Sequence, residues 1–417
     1  MVYVISKENK PLMPCSNVIA RLLLKQGKAK VKSKQPFTIK LLYETTNYAQ
    51  NLTLGVDTGS GTIGAAVSTN NCKIVYASEV VVRNDITDKM TQRAKYRRNR
   101  RDRKTRYRKV RFLNRKNSIK ANRFSPTMVS KLHSHVKEIE YIKSILPIKT
   151  LVLETGQFNP HLMKNPELKY KPWGYQKGKN YGFANTKEMV LNRDNYTCQY
   201  CKGKRKDSRL EVHHIIYRRN CGSDDENNLI TLCQTCHKLL HNGEIKLNLK
   251  GKSKGTLKYA TQMNSIRKQL LRIYPEAIET FGFVTKENRL SIDVDKHHYL
   301  DACVIATGGK EFKICSNIYK KRCISKGDFQ QTKGIHSEQR LNTEKICGFR
   351  KFDKVKYFGK EYFIKGRMST GYAILMDIDG NKIDFSDMLK GFKTVKLKNC
   401  RRISARGSQL IAIHPNP

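Results

Sequence analysis

Two Cys-x-x-Cys pairs, C-Q-Y-C at 198–201 and C-Q-T-C at 233–236, constrain this chain more than any other feature. Each pair sets two thiols on one tight turn, and two such knuckles supply the four thiolates of a closed tetrahedral zinc site. Cys198, Cys201, Cys233 and Cys236 are therefore the expected Zn²⁺ ligands, in a structural role. The interval from Cys201 to Cys233 is longer than the usual span of about 15–20 residues in a simple ribbon. Something is inserted there, and it carries V-H-H-I at 212–215 and N-N-L-I-T-L leading into the second knuckle. His237 follows Cys236 directly, and His241 lies four residues further on.

A His-His dipeptide bracketed by two knuckles, with a further His after the last Cys, resembles the HNH endonucleases, the ββα-metal nucleases. L-E-V-H-H-I-I reads as a strand, so neighbouring side chains leave it in opposite directions. His213 and His214 then do different jobs. One binds a catalytic metal, and the other faces substrate as a general base, for which an ordinary pKa of about 6.5 is suited. His237 and His241, four apart on the following helix, share a face and can meet the same metal. Asn228 is placed either to fix the loop or to complete the coordination. A purely structural zinc finger is the plainer alternative. Four thiolates already close a zinc site, however, so a separate histidine cluster calls for another purpose.

Charge sets the context. Lys and Arg number 82 against 35 Asp and Glu, a formal net charge of +47 over 417 residues. Such a chain repels itself unless a polyanion neutralises it, and nucleic acid does so with release of counterions. An anionic membrane would ask for a basic amphipathic helix with apolar anchors, and none stands out. The opening M-V-Y-V-I-S-K-E-N-K lacks the apolar run of a signal peptide, and no apolar stretch reaches membrane-spanning length. The expectation is a cytoplasmic protein with no membrane partner. The eight Cys outside the knuckles (Cys15, Cys72, Cys221, Cys303, Cys315, Cys323, Cys347 and Cys400) show no paired spacing and read as reduced structural residues.

Taken in order, the chain opens with a βαβ-like module. Val18, Ile19, Leu22 and Leu23 keep helical spacing from about Ser16 to Gln26, and Gly27 stops that helix. Residues 52–83 read as a hairpin or meander turning at Asn70-Asn71. Asp57 ends its first apolar strand, before a Gly-Ser-Gly turn. Three readings compete for it: a metal-holding Asp of an RNase H-like nuclease, the D-x-G phosphate turn of sugar-kinase and actin-type ATPases, or a plain strand-end Asp. Between Arg93 and Lys116, 14 of 24 residues are Lys or Arg, with Asp102 the only acid and Tyr96, Tyr107 and Phe112 interleaved. The run predicts a helix ordered on nucleic acid, against a disordered basic arm as the alternative. Residues 125–147 predict an amphipathic helix, followed by a short strand ending in Glu154.

Residues 159–185 read as an irregular linker rich in aromatics, and 246–258 as a Lys/Gly/Ser linker. A helix from about Tyr259 to Tyr274 precedes F-G-F-V-T and L-S-I-D-V, both strand candidates. A helix over 295–307 then sets His298 and Asp301 on one face. Residues 346–417 read as short strands of a small, basic β-barrel. Asp57, Glu154 and Asp301 stand far apart in sequence, at two strand ends and on one helix. An RNase H-like sheet would gather them, and clustered carboxylates are what two Mg²⁺ ions need for phosphodiester cleavage. His298 could then orient the attacking water or the scissile phosphate. Three unrelated surface acids are the plainer alternative.

The whole order (K-P-L-M-P at 10–14, the Asp57 strand, the Arg-rich helix, the Glu154 strand, the HNH cassette, the His298/Asp301 helix and a basic barrel) resembles IscB. That family comprises transposon-encoded RNA-guided DNA endonucleases related to the CRISPR type II effectors. The resemblance implies an α+β multidomain fold: a split RNase H-like (RuvC) α/β core, an inserted ββα-metal HNH domain with a four-cysteine zinc site, an Arg-rich bridge helix and a C-terminal small β-barrel. The implied domains are an N-terminal PLMP domain at 1–50 and RuvC segment I at 51–83. The bridge helix takes 84–123, RuvC segment II 124–160 and a linker 161–185. HNH occupies 186–245, RuvC segment III 246–335 and the barrel 336–417.

Within this scheme Asp57, Glu154, His298 and Asp301 form the RuvC site with two Mg²⁺. His214 is the HNH base and His213 holds one catalytic Mg²⁺, with His237 completing the catalytic set. Arg93, Arg97, Arg98, Arg100, Arg101, Arg103, Arg106 and Arg108 would grip RNA. The implied partners are a long structured guide RNA and double-stranded DNA bearing an adjacent motif that the barrel reads. The protein itself would be monomeric within a prokaryotic, nucleoid-associated ribonucleoprotein. This chain has His213 where the type II effectors have Asp, and they lack the Cys knuckles, so Asn228, His237 and His241 stand as alternative further ligands. Two other functions fit the same motifs: a stand-alone, homing-type HNH nuclease without guide RNA, and a nuclease-dead RNA-binding regulator.

Overall fold

The structure, a computed structural model, describes residues 1–46, 48–103, 124–178, 180–220, 222–247, 257–325, 345–389 and 391–414. Two compact units emerge: Met1–Gln157 together with Gln262–Pro417, and Phe158–Thr261. The second is an insertion in the sequence of the first.

The first unit opens with β1 (Val2–Ile5), β2 (Pro11–Cys15), α1 (Asn17–Lys25), β3 (Ala29–Lys34) and β4 (Phe37–Leu41), in a sheet of order β2-β1-β4-β3. Ser16 caps α1 by accepting from the Ile19 backbone N–H, and Gly27 ends it at φ +69°. One expectation needs correcting here. Val18, Ile19 and Leu22 are exposed, and α1 packs inward through Ala20, Leu23 and Leu24 instead.

A large mixed sheet follows. β5 (Leu52–Asp57), β6 (Thr62–Thr69) and β7 (Lys73–Val81) form the expected antiparallel meander. Then come α2 (Ile86–Arg103), α3 (Pro126–Ile145) and β8 (Ile148–Thr155), with β8 parallel to β5. Ser125 and Pro126 start α3 as a capping residue and a proline whose missing N–H is harmless at that position. Along β5, Leu52, Leu54 and Val56 face Ile139 and Ile142 of α3 in the main core, all at 0 % exposure. Burying each such aliphatic side chain stabilises the fold by roughly 1.5–3 kcal/mol.

In the second unit, α4 (Pro160–Lys164) and two short 3₁₀ turns lead to α5 (Thr186–Arg193). The hairpin of β9 (Leu210–His214) and β10 (Leu229–Cys233) then runs into α6 (Gln234–His241), a ββα arrangement. Residues 159–185 are thus more ordered than an irregular linker. Asn159 and Asn165 cap successive turns, and Pro160, Pro166 and Pro172 occupy first-turn positions.

The chain continues through α7 (Lys258–Ile273) and re-enters the large sheet with β11 (Ile278–Phe281), parallel to β8. F-G-F-V-T and L-S-I-D-V do not form strands. Only Phe281 lies in β11, and α8 (Gly282–Ser291) takes the rest of the first segment and the first two residues of the second. The K-E-N-R run between them consists largely of residues comfortable in a helix and outweighs the local Phe-Val-Thr signal. After α9 (His298–Thr307) come β12 (Lys313–Ile314) and β13 (Ile318–Cys323), both parallel to β7.

β14 (Lys354–Tyr357), β15 (Lys360–Arg367), β16 (Tyr372–Met376), β17 (Val395–Lys396) and β18 (Arg401–Ser404) make a separate antiparallel sheet of order β17-β16-β15-β14-β18. The expected barrel falls on this sheet. Among the described residues this sheet has two edges, and the last strand, β19 (Gln409–His414), leaves it to pair with β13 in the large sheet. The large sheet therefore reads β11-β8-β5-β6-β7-β13-β19.

Two glycines explain how α9 reaches this sheet. A Cβ on Gly55 would lie 2.5 Å from the Ala306 nitrogen, and one on Gly64 would lie 1.9 Å from the His298 carbonyl oxygen. The helix lies directly on the backbones of β5 and β6, which brings its first turn to the end of β5 that bears Asp57.

Candidate functional site

At the carboxyl ends of the central strands, Asp57 of β5 stands opposite Glu154 of β8 in the parallel ladder. His298 and Asp301 come from the first turn of α9, and His298 Nδ1 is 2.6 Å from Asp57 Oδ2. All four residues expected to work together are brought to one place. Their electrostatics are those of crowded acids. Burial, the Asp57 carboxylate and, less strongly, Asp301 push Glu154 up to about 7. Burial and Asp57 also raise Asp301, and the hydrogen bond to Asp57 raises His298. Glu154 Oε2 is buried without a hydrogen-bond partner. An orphaned carboxylate oxygen among repelling acids is the donor set that a hard divalent cation such as Mg²⁺ relieves. The fit is good. Sequence reasoning missed Arg289 of α8, whose Nε is 3.2 Å from Asp301 Oδ1. It sits in the K-E-N-R run between the two segments expected to be strands.

In the second unit the four knuckle sulfurs all lie within 4.8 Å of one another, and the Cys201 and Cys233 sulfurs are 3.9 Å apart. A tetrahedron with Zn–S of about 2.3 Å has edges of about 3.8 Å. The cluster could hold zinc as expected. It sits in a small apolar core with Ile230 and Leu232.

Three histidines form a second cluster. One ring nitrogen each of His213, His237 and His241 lies within 4.8 Å of the others, and the Nε2 atoms of His237 and His241 are 3.2 Å apart. Burial, then the neighbouring imidazoles, push His213 down to about 4, so it is the neutral ligand form near pH 7. Three imidazoles suit a borderline transition metal better than Mg²⁺, which prefers oxygen. The expected HNH Mg²⁺ is therefore the weaker match to this donor set.

Asn228 has no exposure, and its amide is committed to the loop. Its Oδ1 accepts from the Ile216 N–H at 2.9 Å, while Nδ2 donates to the Ile216 and Ser223 carbonyls. Of its two expected roles, fixing the loop is the one these contacts favour. His214 leaves the strand on the other side, as alternation requires, and its Nε2 is 2.8 Å from Asp224 Oδ1.

Two orienting acids escaped the sequence reading. Asp224 holds His214 and also accepts from Arg218 at 2.8 Å. Glu211 Oε2 lies 2.6 Å from His237 Nδ1, leaving His237 Nε2 for the cluster. Glu211 lies two residues before His213 on β9, a spacing that could have flagged it as sharing that face.

On α2, Arg93, Arg97 and Arg98 are exposed while Tyr96 is buried. Arg100, Arg101 and Arg103 continue the same helix, and Arg106 and Arg108 lie outside the described residues. Among the described residues, no helix is long and apolar enough to cross a membrane.

Comparison with known proteins matches these parts in the same order. The family model described as RRXRR protein matches residues 2–178, a span that includes R-R-N-R-R at 97–101. The HNH endonuclease model matches residues 198–243. Anaredoxin from Nostoc sp. is 33% identical over 69 residues, covering 16% of this chain and 88% of that protein. Among solved structures, Streptococcus thermophilus Cas9 in complex with AGGA PAM has a TM-score of 0.33 at 14% identity, covering 58% of this chain and 32% of that one. The complex of the same Cas9 with GGAA PAM has a TM-score of 0.33 at 13% identity, covering 64% and 34%. The chain spans about a third of the length of these Cas9 chains.

The inserted domain is thus of the metal-dependent DNA endonuclease class. With an RRXRR region ahead of that HNH domain, the chain is an IscB-like nuclease.

Proposed function

We propose that this chain is an RNA-guided endonuclease that cuts both strands of DNA, with the HNH unit cutting the guide-paired strand and a RuvC-type site cutting the displaced one. The observation that carries the reading is the presence, in one chain, of two separate sets of nuclease-type side chains. One is the acidic set on the large sheet, and the other is the histidine set of the ββα insertion. The order of the five strands around the first set, β11-β8-β5-β6-β7 with two parallel and two antiparallel pairings, supports the RNase H-like reading of this sheet.

In the HNH unit His214 accepts a proton from water. Asp224 holds its ring and stabilises the charged imidazole, while the free nitrogen, Nδ1, faces the nucleophile. His213, His237 and His241 would hold one divalent ion, and Glu211 keeps His237 in the tautomer that ligates. On the sheet, Asp57, Glu154 and Asp301 would hold Mg²⁺, and His298 fixes Asp57 while able to reach a phosphate oxygen. Bound ions would lower the pKa of water and stabilise the leaving oxygen. The exposed arginines of α2 supply phosphate contacts to RNA, and base pairing by that RNA would supply the sequence choice. The sheet of β14–β18 is where an adjacent DNA motif would be read.

RNase treatment tests this directly. If the purified protein cuts target DNA only with its co-purifying RNA, and that RNA is one long structured species, the reading stands. Cleavage unaffected by RNase would instead make the protein a stand-alone HNH nuclease. Binding of RNA without cleavage would make it a regulator.

A further inference from the structure

The segment joining the large sheet to the HNH hairpin has no role in the account so far. Residues 158–183 hold six aromatics and five lysines against a single acid, Glu167. The aromatics are not a core. Trp173 is 63 % exposed, Tyr170 80 % and Tyr181 63 %. Leaving an indole and two phenols in water forgoes burial that would otherwise stabilise the unit. They are also held in place: the asparagine caps and first-turn prolines fix the backbone, and Asn159 Nδ2 donates to Tyr175 Oη at 2.9 Å.

Lysines accompany the rings. Lys177 Nζ lies 5.6 Å from the Trp173 ring centre and 5.3 Å from that of Tyr181, while Lys169 Nζ lies 5.8 Å from that of Tyr170. Trp173, Tyr175, Lys171 and Lys177 line a cleft of about 630 Å³, and Asp224, the residue that holds His214, lines it too. Asp225, also in the lining, is paired with Lys164 at 3.5 Å, so part of the lining's negative charge is already compensated.

We infer that this cleft, with the Tyr181 ring that shares Lys177 with Trp173, is a stacking platform for unpaired nucleotides, which takes bases on Trp173 and Tyr181 with phosphate against Lys177. Flat rings with cations beside them fit single-stranded nucleic acid of any sequence, because every base has a π-face and every linkage a charge. A duplex hides those faces. The cleft lining as a whole holds Glu167, Asp224, Asp225 and Glu226 beside Lys164, Lys171 and Lys177. Its cationic side is therefore the one that bears the rings, where residues 158–183 carry five lysines to one acid. That side, in a chain of net charge +47, favours this occupant over a protein. The inference rests on the reading of the chain as a nuclease and adds a site to it.

Trp173 is the only tryptophan in the chain, so its emission reports on this cleft alone. The full-length protein, with no divalent metal added, is titrated with fluorescein-labelled dT12, U12, a deoxyribose-phosphate 12-mer lacking bases, and a 12-base-pair duplex. Anisotropy reads total binding while tryptophan emission reads stacking. The expected result is saturable quenching by dT12, U12 or both, with binding but little quenching by the baseless strand and the duplex. Whether dT12 or U12 quenches at the lower concentration tells a DNA strand from RNA. Tyr181→Ala should weaken the quenching strand by roughly fivefold or more. Strands that bind by anisotropy yet leave the emission unchanged, or a baseless strand that quenches equally, would overturn the platform and leave the nuclease reading intact. Failure of every strand to bind would overturn both.

Discussion

His213 and His214 are adjacent in sequence and opposite in environment, one buried among imidazoles and the other reaching a carboxylate near the surface. Strand alternation made that division legible from the sequence. It could not reveal Glu211 or Asp224, because an acid near a histidine becomes informative only once distance is known. Glu211→Gln should weaken divalent-metal binding at the histidine cluster by about tenfold or more while leaving the four-cysteine site untouched. Cobalt titration separates the two, since thiolate-bound Co²⁺ has its own charge-transfer bands; unchanged affinity at the histidine site would remove Glu211 from the account. Another residue is informative for stability. His135 is fully buried in α3, with Nδ1 2.8 Å from the Lys131 carbonyl oxygen, and burial pushes it down to about 4. Its folded pKa is below the unfolded value of about 6.5, so protons favour the unfolded chain. The stability it contributes is complete above about pH 6.5 and is lost as pH falls toward 4, roughly 2 kcal/mol of it by pH 5. In urea titrations at pH 7.5 and pH 5, His135→Gln should lose less stability on acidification than the parent chain. Equal losses would show that another group governs the acid limb.

At the scale of elements, the helices and strands bearing the four residues of the acidic site were legible, because their apolar periodicity is strong and their ends carry caps or turns. Elements whose fate depends on distant partners were not. The F-G-F-V-T segment became α8, and Gln409–His414 was taken up by the large sheet, where β13 offered an edge. Burial of Lys321 was equally invisible. From β13 it meets Glu138 of α3 at 2.7 Å, with Tyr76 and Ser78 of β7 also bonded to that carboxylate, and both charged side chains are 1 % exposed. Lys321→Met alone would strand a buried carboxylate and should cost about 3–5 kcal/mol. Adding Glu138→Leu should recover much of that loss in chemical denaturation, and additive losses would contradict a paired role. The glycines under α9 make a sharper case. Gly64→Ala would push against the His298 carbonyl, displacing the first turn of the helix. Cleavage by the acidic site should fall at least tenfold while His214-dependent cleavage persists. Wild-type rates at both sites would mean that α9 need not lie so close to the strands.

For the whole molecule, charge and order of motifs carried most of the functional reading. The two-unit division agrees with an endonuclease domain inserted between segments of one sheet. A net charge of +47 explains the need for a polyanion but does not say which. In the proposed reading the guide lies in RNA, so the roles of the two candidate sites are best separated on DNA. The decisive measurement is strand-resolved cleavage of a duplex labelled differently on its two 5′ ends, by the ribonucleoprotein carrying no change, Asp57→Ala, or His214→Ala. The account predicts two cuts for the parent, a nick only in the guide-paired strand for Asp57→Ala, and a nick only in the displaced strand for His214→Ala. Loss of both cuts from either single change, or both cuts surviving the double change, would contradict it.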